Sequence, residues 1–154
     1  MFVYRIAHSK YKQYTLSGIG SEKVGGRWNE VGTRAVYCSE NISLALLEYF
    51  IHSDRVSSLP KEILVAKIHI PENFPILSLK GLPKEWNQYP YTSKTTRIFS
   101  EKVKDPGFFA LEVPSSIVGL EFNYVLNPLY PKFGQVQIDR FFKVPVDPRL
   151  SKQK

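Results

Sequence analysis

Eleven prolines limit this chain of 154 residues to short helices and strands. A proline lacks a backbone N–H and clashes with the preceding helical turn, so it ends or kinks helices and is rare in central strands. Pro60 and Pro71 bound one apolar segment, and Pro114, Pro128 and Pro131 separate others. We therefore expect many short elements joined by turns, rather than a bundle of long helices.

The length suits one domain with a hydrophobic core, and the chain shows no repeats or linker. We expect a domain over residues 1–150 and a basic tail over 151–154. No signal-like segment follows Met1, and no apolar run approaches the roughly 18 residues of a membrane span. The single Cys38 cannot form an internal disulfide. These features favour a cytoplasmic protein that does not enter membranes.

Strands are expected where β-branched and aromatic residues cluster between turn signals. They are predicted at Phe2–Ile6, Arg34–Cys38, Ile63–Ile70, Phe108–Val113, Phe122–Leu126 and Gln135–Val144. Helices are predicted at Ile42–Ser53, capped by Ser39 or Asn41, and at Ser93–Val103. The glycine-rich stretch Ser17–Gly32 is expected to be loop, and Pro71–Pro90 is expected to be rich in prolines and turns. This order favours a single α+β domain with a mixed, mostly antiparallel sheet.

The helix predicted at Ile42–Ser53 carries apolar residues around nearly its whole circumference, which is typical of a buried helix. Glu48 lies among them and needs a partner or a cleft, because burying an unpaired charge is costly. It is either a functional acid or the structural partner of an arginine. His52, one turn further on, is either a helix-end or hydrogen-bonded core histidine, which we favour, or a catalytic base.

The segment Gly25–Asn29 is a second candidate site. Gly26 would let the backbone approach a ligand, and Arg27 could hold a phosphate or carboxylate through two parallel hydrogen bonds. Trp28 and Asn29 could stack on and orient a planar group. The alternative is an ordinary turn beside an arginine, and the glycine spacing fits neither a Walker loop nor a dinucleotide fingerprint.

Hydroxyls and amides near the predicted strand ends form a third candidate, at Ser115, Ser116, Asn123 and Asn127. A turn-forming role is the alternative for the serines. No nucleophile-elbow motif surrounds them, and the three histidines lack metal-ligand spacing, so neither a hydrolase triad nor a metal site is expected. The net charge of +7 is compatible with a nucleic acid, an anionic small molecule or an acidic protein, and does not choose between them.

Taken in order, several segments are similar to the RES domain family, which is named for an Arg, a Glu and a Ser. They cover almost the entire chain and comprise Tyr4–Ile6, Gly26–Asn29, Val36–Ser39, Ala45–Glu48, Leu82–Trp86, Val113–Ser116, Asn123–Pro128 and Asp147–Leu150. Between Ser115 and Ser116, we favour Ser115 as the family serine because it directly follows the proline.

The resemblance implies an ADP-ribosyltransferase-like fold and a toxin that depletes NAD⁺ by cleaving its nicotinamide–ribose bond, with water or phosphate as acceptor. NAD⁺ is then a substrate, and no further cofactor is expected. Glu48 would stabilise charge on the ribose, Arg27 would hold the pyrophosphate, Tyr37 would stack on nicotinamide, and Ser115 would complete the catalytic set. The remaining candidate substrate contacts are Arg5, Gly26, Trp28, Asn29, His52, Ser116, Asn123 and Asn127.

The resemblance also implies a partner, an Xre-type helix-turn-helix antitoxin that covers the cleft. Toxin and antitoxin would form a hetero-oligomer, and the toxin itself is not expected to bind DNA. Two other functions stay open. An ADP-ribosyltransferase acting on a protein or nucleic acid would share Arg27, Tyr37 and Glu48. A basic RNA-binding or ribonuclease-like module would bind RNA in a salt-sensitive way and be indifferent to loss of Glu48.

Overall fold

The computed structural model describes residues 1–52 and 60–151, which form seven strands and three α-helices. The strands are β1 (Phe2–Ala7), β2 (Val36–Ser39), β3 (Glu62–His69), β4 (Ile76–Ser78), β5 (Ala110–Pro114), β6 (Phe122–Leu126) and β7 (Gln137–Pro145). The helices are α1 (Ile19–Val24), α2 (Ile42–His52) and α3 (Ser93–Lys102), with 3-10 turns at Ser9–Tyr14, Phe133–Gln135 and Pro148–Ser151. All six expected strands and both expected helices are present, and the ends that can be compared differ from the predicted ones by no more than two residues.

The strands form one sheet in the order β4-β5-β6-β2-β1-β3-β7. Only β4 and β5 pair in parallel, and every other neighbouring pair is antiparallel. The expected α+β class and the mixed, mostly antiparallel sheet are therefore confirmed. The strands that matter for the site are adjacent, because β2 lies between β1 and β6.

Two apolar clusters cover the two faces of this sheet. One contains Val3, Cys38 and Leu126, and the other contains Trp28, Phe99 and Val125. Val125 and Leu126 are consecutive in β6 and belong to different clusters, as expected when successive side chains point to opposite faces. Both faces of the central strands are thus buried, which fixes their register.

The expectation that Ser17–Gly32 is entirely loop is wrong, because α1 forms inside it. The helix starts after Gly18, whose φ of 68° suits glycine, and tertiary contacts hold it. Ser21 Oγ donates to the carbonyl of Ala35, and Arg34 pairs with Glu22 at 3.0 Å. Six residues are too few for a stable isolated helix, so such contacts decide whether it forms.

The sequence predicts no strand within the turn-rich segment Pro71–Pro90, yet the structure has one there. Ile76–Ser78 forms β4, which pairs in parallel with Ala110–Glu112 of β5. An edge strand of three residues bounded by turns carries almost no local signal, because its hydrogen bonds go to a partner over thirty residues away.

Helix α2 is not buried all round as its composition predicts. Leu44 and Ala45 face the protein, whereas Leu47 is 36% exposed and Ile51 61% exposed. Among the possible caps, Asn41 is the one used, since its Oδ1 accepts the N–H of Leu44 at 2.8 Å. Ser53, the last residue expected in this helix, and the basic tail from residue 152 onward lie outside the described residues. None of the helices within those residues is long and apolar enough to cross a membrane.

Candidate active site

A cavity of about 530 Å³ opens between α2, the Gly25–Trp28 segment and the adjacent strands β1, β2 and β6. Its volume falls within the range of small-molecule sites, roughly 300–1,000 Å³. Nine of the residues expected to form the site line it, namely Arg5, Gly26, Arg27, Trp28, Tyr37, Glu48, His52, Ser116 and Asn123. Side chains from the three segments singled out in the sequence thus meet around one cavity.

Three side chains hold the Glu48 carboxylate. Ser115 Oγ and Asn123 Nδ2 both donate to its Oε1, at 2.9 and 2.6 Å, while His52 Nε2 lies 3.4 Å from its Oε2. The structural alternative, in which Glu48 pairs with an arginine, does not match these contacts. Arg27 interacts with Glu48 only through longer-range electrostatics, in which the charge of Glu48 raises the pKa of Arg27.

Glu48 is held as an anion in a partly buried position. Burial by itself would raise the pKa of this carboxyl, but the hydrogen bonds from His52, Asn123 and Ser115 outweigh burial and lower the pKa below its ordinary value. The group is therefore a fixed negative charge at neutral pH, available to interact with positive charge that develops nearby.

The hydrogen bonds around Ser115 fix the direction of its hydroxyl proton. Its Oγ accepts the backbone N–H groups of Ile117 and Val118, at 3.1 and 3.0 Å, so its proton is directed to Glu48. The side chain is buried and orients the acid rather than facing the cavity. The neighbouring Ser116 lines the cavity instead.

Arg27 joins the cavity wall to the segment that follows Trp86. Its Nη1 donates to the carbonyls of Trp86 and Gln88 at 2.8 and 2.9 Å, and its guanidinium lies 5.8 Å from the ring centre of Tyr91. Burial lowers the pKa of Arg27, while the charge of Glu48 acts in the opposite direction, and the group stays cationic. No oxygen within the described ranges accepts from Nε or Nη2, so both remain for a ligand.

Tyr37 fastens the glycine-containing segment to β2. Its hydroxyl donates to Asn29 Oδ1 at 2.7 Å and accepts the N–H of Trp28 at 3.1 Å. Burial raises the pKa of Tyr37 far above its ordinary value, so the phenol stays neutral. A side chain at position 26 would begin 2.6 Å from this hydroxyl, which explains the glycine. Arg5 supports the same strand by donating to the carbonyl of Tyr37 at 2.7 Å.

Asn29 and Asn127 do not line the cavity. Asn29 is fully buried, and its Nδ2 donates to the carbonyls of Ser21, Glu30 and Thr33, so that it shapes the segment. Asn127 is buried as well, and bonds to the carbonyl of Phe108 and the N–H of Leu129. Trp28 is buried, and its ring stacks on that of Trp86 with 5.9 Å between the ring centres. It still contributes to the wall of the cavity. For Asn29 and Asn127, the structure favours support over substrate contact.

Several residues that line this cavity were not predicted from the sequence, among them Tyr4, Ser39, Tyr49 and Tyr91. Ser39 lies two residues after Tyr37 in β2, so strand alternation places both on one face and could have identified it. Tyr91 carries no such signal, because the segment before α3 is irregular and has no periodicity that would predict which way this side chain points.

Comparison with known proteins relates nearly the whole chain to one family. Residues 2–147 match the RES domain. Toxin Res of Photorhabdus laumondii is 36% identical over 156 aligned residues, covering 100% of this chain and 99% of the relative. Toxin Res of Yersinia enterocolitica is 35% identical, covering 86% and 88%. The Prs ADP-ribosylating toxin of a Sphingobium species is 31% identical, covering 91% and 89%.

A solved structure shares the fold. A chain of the M. tuberculosis MbcT–MbcA toxin–antitoxin complex superposes with a TM-score of 0.76 at 18% identity, covering 98% of this chain and 86% of that one. The two chains therefore share the same α+β fold. From the family match over residues 2–147 and the similarity to two Toxin Res proteins over most of both chains, we conclude that this chain belongs to the RES domain family.

Proposed function

We propose that this protein is the toxin of a toxin–antitoxin pair and that it depletes NAD⁺ by cleaving the bond between nicotinamide and ribose. The observation that carries the proposal is the Glu48 carboxylate, held ionised by Ser115, Asn123 and His52 at the wall of a cavity of ligand size. Arg27 lines the same cavity, and within residues 1–52 and 60–151 its Nε and Nη2 groups donate to no protein acceptor.

In the proposed reaction, the bonding electrons leave with the nicotinamide nitrogen, and positive charge develops on the ribose, as in glycoside hydrolysis. The pyridinium becomes neutral nicotinamide and needs no general acid. Glu48 stabilises the developing charge and binds a ribose hydroxyl. Water then adds at the anomeric carbon and loses a proton, giving ADP-ribose. Phosphate in place of water gives ADP-ribose phosphate.

The other residues would bind and orient the dinucleotide. Arg27 is the anchor for the pyrophosphate, through its Nε and Nη2 donors, for which the described part of the chain supplies no acceptor. Gly26 permits close approach of the backbone there, and Arg5 adds positive charge from the strand below. Tyr37 would present its ring to the nicotinamide, with Trp28 beside it. Ser116, Asn123 and His52 lie on the wall near Glu48, where the ribose would bind.

The test is an assay of purified protein with NAD⁺, in buffer with and without inorganic phosphate. We expect nicotinamide to be released together with ADP-ribose, or with ADP-ribose phosphate when phosphate is the acceptor, as identified by mass spectrometry. Glu48→Gln retains the size and hydrogen-bonding oxygen of the side chain but not its charge, and it should reduce turnover by at least about a thousandfold. Release of nicotinamide at the wild-type rate by this variant would refute the assignment of Glu48.

A second candidate is the transfer of ADP-ribose to a macromolecule. It is favoured by one observation, the 31% identity to a relative named as a Prs ADP-ribosylating toxin. The same residues would break the same bond, and only the acceptor would differ. Incubation with labelled NAD⁺ and a cell extract separates the two, because label on protein or nucleic acid supports transfer and label confined to small molecules supports cleavage.

For the partner, we propose an Xre-type antitoxin that covers the cavity in a cytoplasmic hetero-oligomer. The supporting observation is that the matching fold was solved within a toxin–antitoxin complex. Co-expression with such a protein should restore growth and protect the cavity residues from hydrogen exchange. If the two proteins co-purify while the cavity still exchanges freely, the antitoxin binds elsewhere.

A further inference from the structure

Ser39 is linked to the candidate catalytic acid through one intermediate side chain. Its Oγ donates to Asn123 Oδ1 at 2.6 Å, and Asn123 Nδ2 donates to Glu48 Oε1, also at 2.6 Å. Ser39 and Asn123 are directly opposite each other in the antiparallel pair formed by β2 and β6. Ser39 is only 4% exposed, and it belongs to the wall of the cavity.

We infer that Ser39 is a positioning residue, which orients the Asn123 amide so that its NH₂ group, and not its carbonyl, meets Glu48. An asparagine amide presents a donor on one side and an acceptor on the other. A Glu48 carboxylate accepts only, so a reversed amide would place two acceptor oxygens against each other. By donating its single proton to Oδ1, Ser39 stabilises the productive orientation and polarises the amide toward the carboxylate.

This arrangement gives the two oxygens of Glu48 different surroundings. Oε1 accepts hydrogen bonds from both Asn123 and Ser115. Asn123 is held in turn by Ser39 of β2, and Ser115 by backbone N–H groups of the turn after β5. Oε2 has only His52, at 3.4 Å, among the described residues, and the histidine side chain is 52% exposed. Oε1 is therefore the anchored oxygen, and Oε2 is the one that a substrate hydroxyl can reach when His52 moves aside. The assignment of Oε2 to a substrate hydroxyl rests on the proposed function, whereas the hydrogen bonds from Ser39 to Asn123 and from Asn123 to Glu48 do not depend on it.

The experiment compares Ser39→Ala, Ser39→Thr and a control, Thr15→Val. Thr15 is also a buried hydroxyl, but it donates to the Lys12 carbonyl and does not line the cavity. Titration of the ¹³C-labelled Glu48 carboxyl by NMR reports the link without any need for catalysis. Steady-state kinetics with NAD⁺, as a function of pH, report its effect on the reaction.

In Ser39→Ala, we expect the pKa of Glu48 to rise, because a donor to its carboxylate is less well held, and the acidic limb of the pH profile to move with it. The turnover number should fall about tenfold, as for the loss of one buried hydrogen bond, with little change in KM. Ser39→Thr retains the hydroxyl on a strand that tolerates β-branching and should restore both. Thr15→Val should change neither.

The inference is overturned if Ser39→Ala leaves the Glu48 titration unchanged, or if Thr is as harmful as Ala. A wild-type protein that releases no nicotinamide would instead refute the proposed function. In that event the NMR titration still decides whether Ser39 acts on Glu48.

Discussion

At the scale of single residues, the tightest steric requirement at the cavity is for glycine at position 26. An added Cβ would lie 2.6 Å from the Tyr37 hydroxyl and 3.0 Å from Asn29 Oδ1, so a Gly26→Ala change must displace the Tyr37–Asn29 hydrogen bond. We expect a loss of about 1–3 kcal/mol of stability in denaturant unfolding, as for overpacking, and a fall in NAD⁺ turnover.

Gly20→Ala is the matched control for this change. Gly20 lies in α1, and a Cβ there meets nothing within 4 Å. Alanine is a better helix former than glycine by up to about 1 kcal/mol, so this variant should be as stable as the wild type or more stable, with unchanged turnover. Equal effects of the two substitutions would contradict the steric account of Gly26.

The guanidinium of Arg27 is expected to be irreplaceable by an ammonium. Lysine supplies a point charge and cannot hold the Trp86 and Gln88 carbonyls while presenting a planar pair of donors to an anion. Arg27→Lys should raise KM for NAD⁺ by about tenfold or more and affect turnover less. Arg97→Lys, which alters an exposed arginine paired with Glu30, serves as the control and should be silent. An unchanged KM in Arg27→Lys would exclude Arg27 as the pyrophosphate anchor.

Glu48 also links stability to pH. Its pKa in the folded protein lies below the ordinary value of 4.5, burial being outweighed by hydrogen bonds from His52, Asn123 and Ser115. Its charge therefore stabilises the fold above the unfolded pKa, and this contribution disappears as pH falls through the folded pKa. Wild type should lose more stability on acidification below 4.5 than Glu48→Gln does. Parallel pH dependences in denaturant unfolding would show that the carboxylate is not stabilised by these contacts.

Which residues reach the cavity was partly predictable. Glu48 stood out because a charge on an apolar helix needs partners, and Gly26 with Arg27 because the pair suits an anion. Asn29 and Asn127 have the same polar chemistry, yet their amides are used by nearby backbone groups, which only the folded loops reveal. Ser39 was not predicted, although its alternation with Tyr37 in β2 carries that signal, and Tyr91 was missed because it lies in an irregular segment before α3.

At the scale of elements, helix α2 sets the position of Glu48 and His52, so its start matters to the site. Asn41 Oδ1 accepts the Leu44 N–H and caps the first turn. Asn41→Ala should destabilise the protein by about 1 kcal/mol in denaturant unfolding, while Asn41→Ser should largely preserve the cap. A serine variant that is as unstable as the alanine variant would indicate that the cap contributes nothing.

Elements with strong periodic or β-branched signals were predicted from sequence, including β1, β3, β6, α2 and α3. The two that were missed, α1 and β4, are six and three residues long, and both owe their existence to distant contacts. The burial of α2 was wrong for a related reason. Apolar composition around a helix predicts burial only if neighbouring elements cover every side, and here the Leu47 and Ile51 side remains exposed.

At the scale of the whole molecule, a seven-stranded sheet brings one acid and two arginines to a single cavity. The acid comes from α2, its two Oε1 donors from the end of β5 and the start of β6, and the arginines from β1 and the segment before β2. No single segment contains the site, and the family match accordingly extends over residues 2–147.

The most direct measurement is the cellular NAD⁺ level after induction of this protein, beside the same measurement for Glu48→Gln expressed to the same amount. We expect NAD⁺ to collapse within the period of growth arrest for the wild type, and to remain at the uninduced level for the variant. Growth arrest with unchanged NAD⁺, or an equal collapse in both, would contradict the account of Glu48 as the acid of an NAD⁺-cleaving toxin.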